Sequence, residues 1–121
     1  MSDGDPLRVL DAARRFGQLV TEMTQRPPRR APSKLRGQLS EAAQSISALL
    51  AEGLGRGTTA ERIHYSRMAN GSLEESQDYL RKCVNAQLID RKTFFKLWNL
   101  SVAVGRMILG LIAYYERHRE E

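Results

Sequence analysis

The chain has 121 residues, a length that fits one domain and lets a helical bundle bury a continuous core without disulfides or a structural metal. Hydrophobic residues make up 41% and charged residues 27%, which is too apolar for a disordered chain. The net charge of +5 favours acidic partners such as nucleic acid, an anionic membrane or an acidic protein, and a single cysteine excludes an internal disulfide.

The first half of the chain carries apolar residues at alternating spacings of four and three, which is typical of a buried helical stripe. Pro6 suits the first turn of a helix and Pro27-Pro28 would end it, so the first helix is predicted over about 6 to 25. Ser33 can cap a second helix, over about 33 to 54. The stripes are Val9, Ala13, Phe16, Val20 and Met23, then Leu35, Leu39, Ala42, Ile46 and Leu49.

A glycine-rich stretch follows the second helix. Because glycine tolerates positive φ, Gly53, Gly55 and Gly57 are predicted to end that helix and turn the chain. Thr58 and Glu61 have the spacing of a capping box, so a third helix is predicted over about 58 to 88. The turn-like pair Asn70-Gly71 could split this helix, but the apolar register continues across it and favours one helix.

Asp90 can cap a fourth helix, predicted over about 90 to 118. Its apolar residues lie almost all round, whereas a helix at the rim of a monomeric bundle needs only one buried stripe. A second contact surface, for another copy of the chain, is therefore predicted; deeper burial within its own bundle is the alternative. The window from Leu97 to Tyr115 has the length of a membrane span, but polar residues within it favour a bundle helix; these are Asn99, Ser101 and Arg106.

Together these elements predict one all-α domain over residues 1–121, an up-and-down antiparallel four-helix bundle. The N-terminus lacks the basic and apolar layout of a signal peptide, which favours the cytoplasm and no membrane partner.

Two groups of residues share a family pattern that covers nearly the whole chain. The first comprises Ser45-Ile46, Ala51-Glu52-Gly53 and Gly55-Arg56, and the second is Gly71-Ser72-Leu73-Glu74-Glu75, so the motif residues are Glu52, Gly53, Gly71, Ser72 and Glu75. They resemble the four-helix-bundle family of proteins encoded in intervening sequences of 23S ribosomal RNA genes. Two positions differ from that pattern, because Ser47 replaces a frequent proline and Leu10 an early aromatic residue.

This resemblance implies a bundle that assembles into a homopentameric ring. A more distant likeness, to the accessory variability determinant of diversity-generating retroelements, implies binding of nucleic acid and of a reverse transcriptase through a basic surface.

A basic segment without acidic residues runs from Arg26 to Arg36. One guanidinium group can bind two phosphate oxygens at once. If copies of the chain form a ring, repetition of this basic segment in every copy would give polyvalent binding. A solvated linker that contacts nothing is the alternative. Arg56, beside the start of the third helix, could hold an anion there, although a plain helix cap is favoured. The predicted nucleic-acid-binding residues are Arg14, Arg15, Arg26, Arg29, Arg30, Lys34, Arg36 and Arg56.

Glu52 lies near the C-terminal end of the second helix, where the helix dipole disfavours a carboxylate. An arginine partner from a neighbouring helix or from the next subunit is therefore predicted.

No catalytic or metal site is predicted. Glu61 and His64 have the spacing of half a di-iron carboxylate site, but the second such pair is missing. Two histidines and one cysteine provide no paired nucleophile and base, and Cys83 is predicted to be a core residue. The prediction is a non-catalytic homo-oligomeric bundle, without cofactor, that binds RNA or DNA as an accessory to an enzyme such as a reverse transcriptase. The alternative is a protein-binding scaffold that works through the fourth helix; a metal-dependent oxidoreductase would need a bound metal.

Overall fold

The computed structural model describes residues 4–24 and 34–119. Within these two ranges the chain forms four helices and no strand. The helices are α1 (Pro6–Thr24), α2 (Lys34–Leu54), α3 (Thr59–Asn85) and α4 (Arg91–Arg117). The predicted Ser33 cap and the Pro27-Pro28 stop lie outside the described residues.

Each helix packs on its neighbours in chain order, and α4 closes the ring of helices against α1. Successive helices run antiparallel, as the contacts along each pair show: Thr21 of α1 bonds to Ser40 of α2, and Gln77 of α3 bonds to Ser101 of α4. The prediction of an all-α, up-and-down four-helix bundle is confirmed.

The core forms from the predicted helical stripes. All four helices contribute side chains that are fully buried, and Cys83 is a buried free cysteine among them, as predicted. On α3 the inner face alternates small and large buried residues, which lets the neighbouring helices approach closely. The largest fully buried side chains are Phe16, Leu39, Ile46, Leu80, Leu97, Ile108 and Leu111.

The two predicted N-caps that lie within the described residues, Thr58 and Asp90, are confirmed. The Thr58 hydroxyl accepts a hydrogen bond from the Glu61 backbone N–H at 3.1 Å and donates one to the Glu61 carboxylate at 3.0 Å. The Asp90 carboxylate accepts a hydrogen bond from the Thr93 backbone N–H at 2.7 Å. Helix α3 continues through Asn70-Gly71 without a break, as the apolar register predicted.

Helix α2 ends at Leu54, and Gly55 and Gly57 lie in the turn after it, as predicted; the predicted reason is wrong, because no glycine in the described residues has a positive φ. Gly53 is instead the last buried residue of α2 and lies against α3. A Cβ atom at this position would lie 2.9 Å from the Cβ of Tyr65, so glycine is needed for close helix packing and not for a turn.

The positive φ occurs instead at Gln87, where φ is 60°. Helix α3 ends at Asn85, three residues before the predicted end, in a Schellman motif. The Leu88 N–H donates to the Cys83 carbonyl at 2.9 Å, and the Gln87 N–H donates to the Val84 carbonyl at 3.1 Å. A left-handed residue thus turns the chain sharply toward α4.

Helix α4 buries one stripe against α1 and α3 and leaves large apolar side chains on its outer face. Phe95 is 50% exposed and Leu109 is 56% exposed. By length and composition α4 could cross a membrane, and 33% of its most apolar window is buried; a core helix of a bundle passes the same test. Its own bundle therefore does not cover all of its apolar surface.

Candidate nucleic-acid interface

Because the helices alternate in direction, the end of α1, the start of α2, the end of α3 and the start of α4 lie at one end of the bundle. We call this the linker end, since the segment 25–33 joins α1 to α2 there. The positive charge of Arg36, near the start of α2, acts on the Cys83 thiol, near the end of α3. The two helix ends are therefore close neighbours.

The predicted basic residues that the structure describes lie in three places: at the linker end, along α1 and, for Arg56, at the opposite end. Lys34 is exposed and Arg36 half-buried at the linker end. Arg14 and Arg15 are exposed on α1. The rise of an α-helix per residue places them about 15 Å from the last residue of α1. Arg14 also lines an open groove between α1 and α2, together with Gln18, Thr21 and Gln44. The predicted residues Arg26, Arg29 and Arg30 lie outside the described residues.

Arg56 lies at the opposite end of the bundle, about 30 Å from Lys34 along α2. Its guanidinium donates to the Glu52 carboxylate at 2.7 Å and to the Tyr65 hydroxyl at 2.9 Å, and lies 3.9 Å from the Glu61 carboxylate. Tyr65 first, and then Glu52, raise the pKa of Arg56. Nucleic-acid binding by Arg56 stays a prediction, but it cannot form one surface with Lys34.

The same contact identifies the arginine partner of Glu52. The sequence predicts a partner from a neighbouring helix or another subunit, whereas Arg56 comes from the turn directly after α2. Both side chains are about half exposed, so this ion pair contributes little to stability.

Sequence analysis missed the basic side chains that α3 and α4 bring to the linker end. Within seven residues of the helix ends and the described turn there, seven lysines and arginines face four carboxylates, Glu22, Glu41, Asp78 and Asp90. The Asp90 carboxylate caps α4, and this hydrogen bond from the Thr93 backbone lowers its pKa. The seven are Lys34, Arg36, Arg81, Lys82, Arg91, Lys92 and Lys96.

The opposite end has a balanced charge. Counted over the same lengths of helix, the described turn and the described terminal residues, it has five arginines and five carboxylates. They are Arg8, Arg56, Arg62, Arg117 and Arg119, with Asp5, Asp11, Glu52, Glu61 and Glu116. The positive charge is therefore concentrated at the linker end. The sequence signal that could have predicted this is the sign of the charges at each helix end, combined with the alternating direction of the helices.

One cation of the linker end is partly neutralised. Lys82 pairs with Asp78 at 3.0 Å, one turn earlier on α3, and the hydrogen bond that Lys82 donates to this carboxylate raises the pKa of Lys82. Among the described residues the other exposed cations of this end have no carboxylate within ion-pair distance; they are Lys34, Arg81, Arg91, Lys92 and Lys96. Unpaired cations at this density attract phosphates.

The second family motif lies on α3, with Leu73 in the core and its other residues toward the surface. Gly71 is exposed, and a Cβ atom there would meet nothing within 4 Å. Glu75 is exposed, and the Ser72 carbonyl accepts a hydrogen bond from the Ser76 hydroxyl at 2.8 Å. Leu73 therefore packs inside the described bundle, whereas Gly71, in contrast to Gly53, has no such role. In residues 4–24 and 34–119, no three side chains of His, Cys, Asp or Glu are grouped as a metal site needs.

The comparisons with known proteins identify the family. No curated protein and no solved structure matches the chain. The family model described as 23S rRNA-intervening sequence protein matches residues 5–110, which include α1, α2, α3 and most of α4. The predicted resemblance is thus confirmed, and the chain belongs to the 23S rRNA-intervening sequence protein family.

Proposed function

We propose that this chain is a non-catalytic, homo-oligomeric bundle that binds nucleic acid through the linker end. The observation that carries this proposal is the excess of seven cations over four carboxylates at one end, against a balanced opposite end. Clustered cations release counterions from a phosphate backbone, and this sequence-independent term supplies most of non-specific binding. Arg26, Arg29 and Arg30 belong, by sequence, to the segment that joins α1 to α2.

Filter binding with random-sequence RNA and DNA over a salt series tests the proposal. The double variant Lys34→Gln with Lys92→Gln removes two exposed charges from the linker end. The control, Arg8→Gln with Arg117→Gln, removes two exposed charges from the opposite end and so has the same net charge. We expect the first pair to weaken binding and flatten its salt dependence, while the control pair has little effect.

Two results would contradict the proposal. No binding by the unaltered chain at low salt would remove a nucleic-acid role altogether. An equal loss in both double variants would mean that net charge, and not the linker end, governs binding.

Self-assembly is the second part of the proposal. Leu109 leaves apolar surface on α4, away from the linker end, that its own bundle does not cover, and the family resemblance suggests a pentameric ring. Light scattering measures the molar mass directly. A strictly monomeric chain at working concentration would contradict this part and leave nucleic-acid binding open.

A protein-binding scaffold is the second candidate function, and the exposed apolar surface around Leu109 on α4 favours it. An accessory role beside a reverse transcriptase would combine both functions, with nucleic acid at the linker end and protein against α4. A reverse transcriptase gene beside the gene for this chain would support the combined role. Partner binding without any RNA or DNA binding at low salt would favour the scaffold alone.

A further inference from the structure

Side chains of α3 and α4 form an unbroken series of contacts at the linker end. The Arg91 guanidinium lies 5.8 Å from the centre of the Phe95 ring. Phe95 contacts Phe94 edge-on at 5.3 Å, and Phe94 stacks on Trp98 at 5.6 Å with an interplanar angle of 24°. The Arg81 guanidinium, from α3, lies 4.5 Å from the centre of the Trp98 ring. We call these five residues the aromatic–basic corner.

The corner presents both flat surfaces and cations to solvent. Phe95 is 50% exposed, Arg81 and Arg91 are exposed, and Trp98 and Phe94 are half-buried. Within the described residues neither arginine has a carboxylate within ion-pair distance, so their N–H groups are available to a phosphate.

Charge alone would suit duplex and single-stranded nucleic acid equally. Exposed ring faces distinguish the two, because a single strand offers unstacked bases and a duplex hides them. A guanidinium that lies on an aromatic ring is held flat, and a base can stack on its free face. A surface that combines rings with unpaired cations therefore matches a single strand better than a duplex.

We propose that the aromatic–basic corner binds single-stranded nucleic acid. Bases stack on the Phe95 ring and on the Arg81 guanidinium, while Arg91 and the neighbouring Lys92 and Lys96 bind the phosphates. This inference rests on the proposed function, since it specifies which nucleic acid the linker end takes.

The chain contains one tryptophan, Trp98, so its intrinsic fluorescence reports on the corner alone. We would titrate the full chain with single-stranded oligomers of uridine and of deoxyuridine of about twelve nucleotides, and with a duplex of equal length. We expect the single strands to change the Trp98 fluorescence and to bind more tightly than the duplex. The ribose and deoxyribose arms show which sugar is preferred, and a preference for either supports the inference.

Phe95→Ala removes the exposed ring, and circular dichroism checks that the helices remain. Stacking of one base corresponds to an affinity change of about five-fold or more, so we expect that loss for single strands and less than about two-fold for the duplex. Leu7→Ala is the matched control, because Leu7 is 64% exposed on α1 at the opposite end. It should leave both affinities unchanged.

The outcomes separate this inference from the proposed function. If neither single strands nor duplex bind, both are wrong. If both bind equally and Phe95→Ala weakens neither, the corner does not bind bases and only the proposed function stands. If Phe95→Ala lowers the molar mass without changing the ratio of single-strand to duplex affinity, the corner is a contact between copies and the inference is overturned.

Discussion

A Cβ atom at Gly53 would lie 2.9 Å from the Cβ of Tyr65, closer than two such carbons approach in proteins. Both atoms belong to rigid parts of their residues, so relief requires α2 and α3 to move apart. The family motif residue Gly53 therefore sets the distance between these two helices at the end of the bundle opposite the linker.

Gly53→Ala should destabilise the chain by about 1–3 kcal/mol, which is the usual cost of overpacking a tight contact. Urea unfolding followed by circular dichroism measures this change. A stability equal to that of the unaltered chain would show that the helices can separate at no cost.

Gly71→Ala is the opposite case and serves as the control for Gly53→Ala. Gly71 lies within α3, and a Cβ atom there would meet nothing within 4 Å. Because alanine favours the helix over glycine, we expect a gain of about 0.5–1 kcal/mol in the free energy of unfolding. A loss in the assembled protein but not in the monomer would reveal a close contact with another copy at this motif.

Gln87→Gly should stabilise the turn between α3 and α4. Gln87 has a φ of 60°, a left-handed conformation that strains any residue with a Cβ atom. Glycine removes this strain, and we expect a gain of about 1 kcal/mol in thermal unfolding experiments. Gln87→Ala keeps the Cβ atom and should show no such gain.

Cys83 should make stability depend on pH in the alkaline range. Burial raises the pKa of its thiol from 9.0 to about 11, although the positive charge of Arg36 lowers it. Below pH 9.0 the thiol is protonated in both states; between about pH 9 and pH 11 only the unfolded chain loses the proton. The free energy of unfolding should therefore fall by about 1.4 kcal/mol per pH unit in that window through this group.

Urea unfolding of the unaltered chain and of Cys83→Ala, on both sides of pH 9.0, checks this dependence. Lysines and tyrosines titrate in both proteins, so the difference between the two slopes isolates the thiol. Identical slopes would contradict burial of the thiol away from water.

Asp90 should add a dependence on acid pH. The hydrogen bond from the Thr93 backbone, followed by the bond from its side chain, lowers the pKa of Asp90 below 3.8. Its contribution to stability is thus complete above that value and is lost as the pH falls through the pKa of the folded state. Asparagine also caps helices but has no charge.

We expect Asp90→Asn to unfold much as the unaltered chain does near neutral pH and to lose less stability in acid. Thermal unfolding at about pH 6 and about pH 3 measures the difference. A parallel loss in both proteins would mean that the Asp90 carboxylate does not stabilise α4.

Local rules predicted the parts of the fold that local interactions determine. Thr58 and Asp90 cap helices through bonds to backbone groups three residues away, so spacing in the sequence was sufficient. The role of Gly53 was predicted wrongly because it depends on Tyr65. Tyr65 lies on a different helix and comes close to Gly53 only where α2 and α3 pack together. Gln87 was missed because glutamine is not typical of a left-handed turn.

The candidate interface was half predictable for a related reason. Lys34 and Arg36 lie in a segment without acidic residues, so their positive charge is evident in the sequence. Arg81 and Arg91 lie close to Asp78 and Asp90 and among apolar residues, so the sequence there does not look basic. Only the alternation of helix directions brings the two groups to one end. The contact between Arg81 and Trp98 joins two helices and has no sequence signal at all.

The one-sided charge of the bundle has a consequence for any closed ring of copies. Rotational symmetry gives every copy the same height and radius, so five or more equal positive ends would merge into a continuous band. Such a particle would be a collar with one electropositive track and a charge-balanced opposite face, able to guide a long polyanion around its circumference.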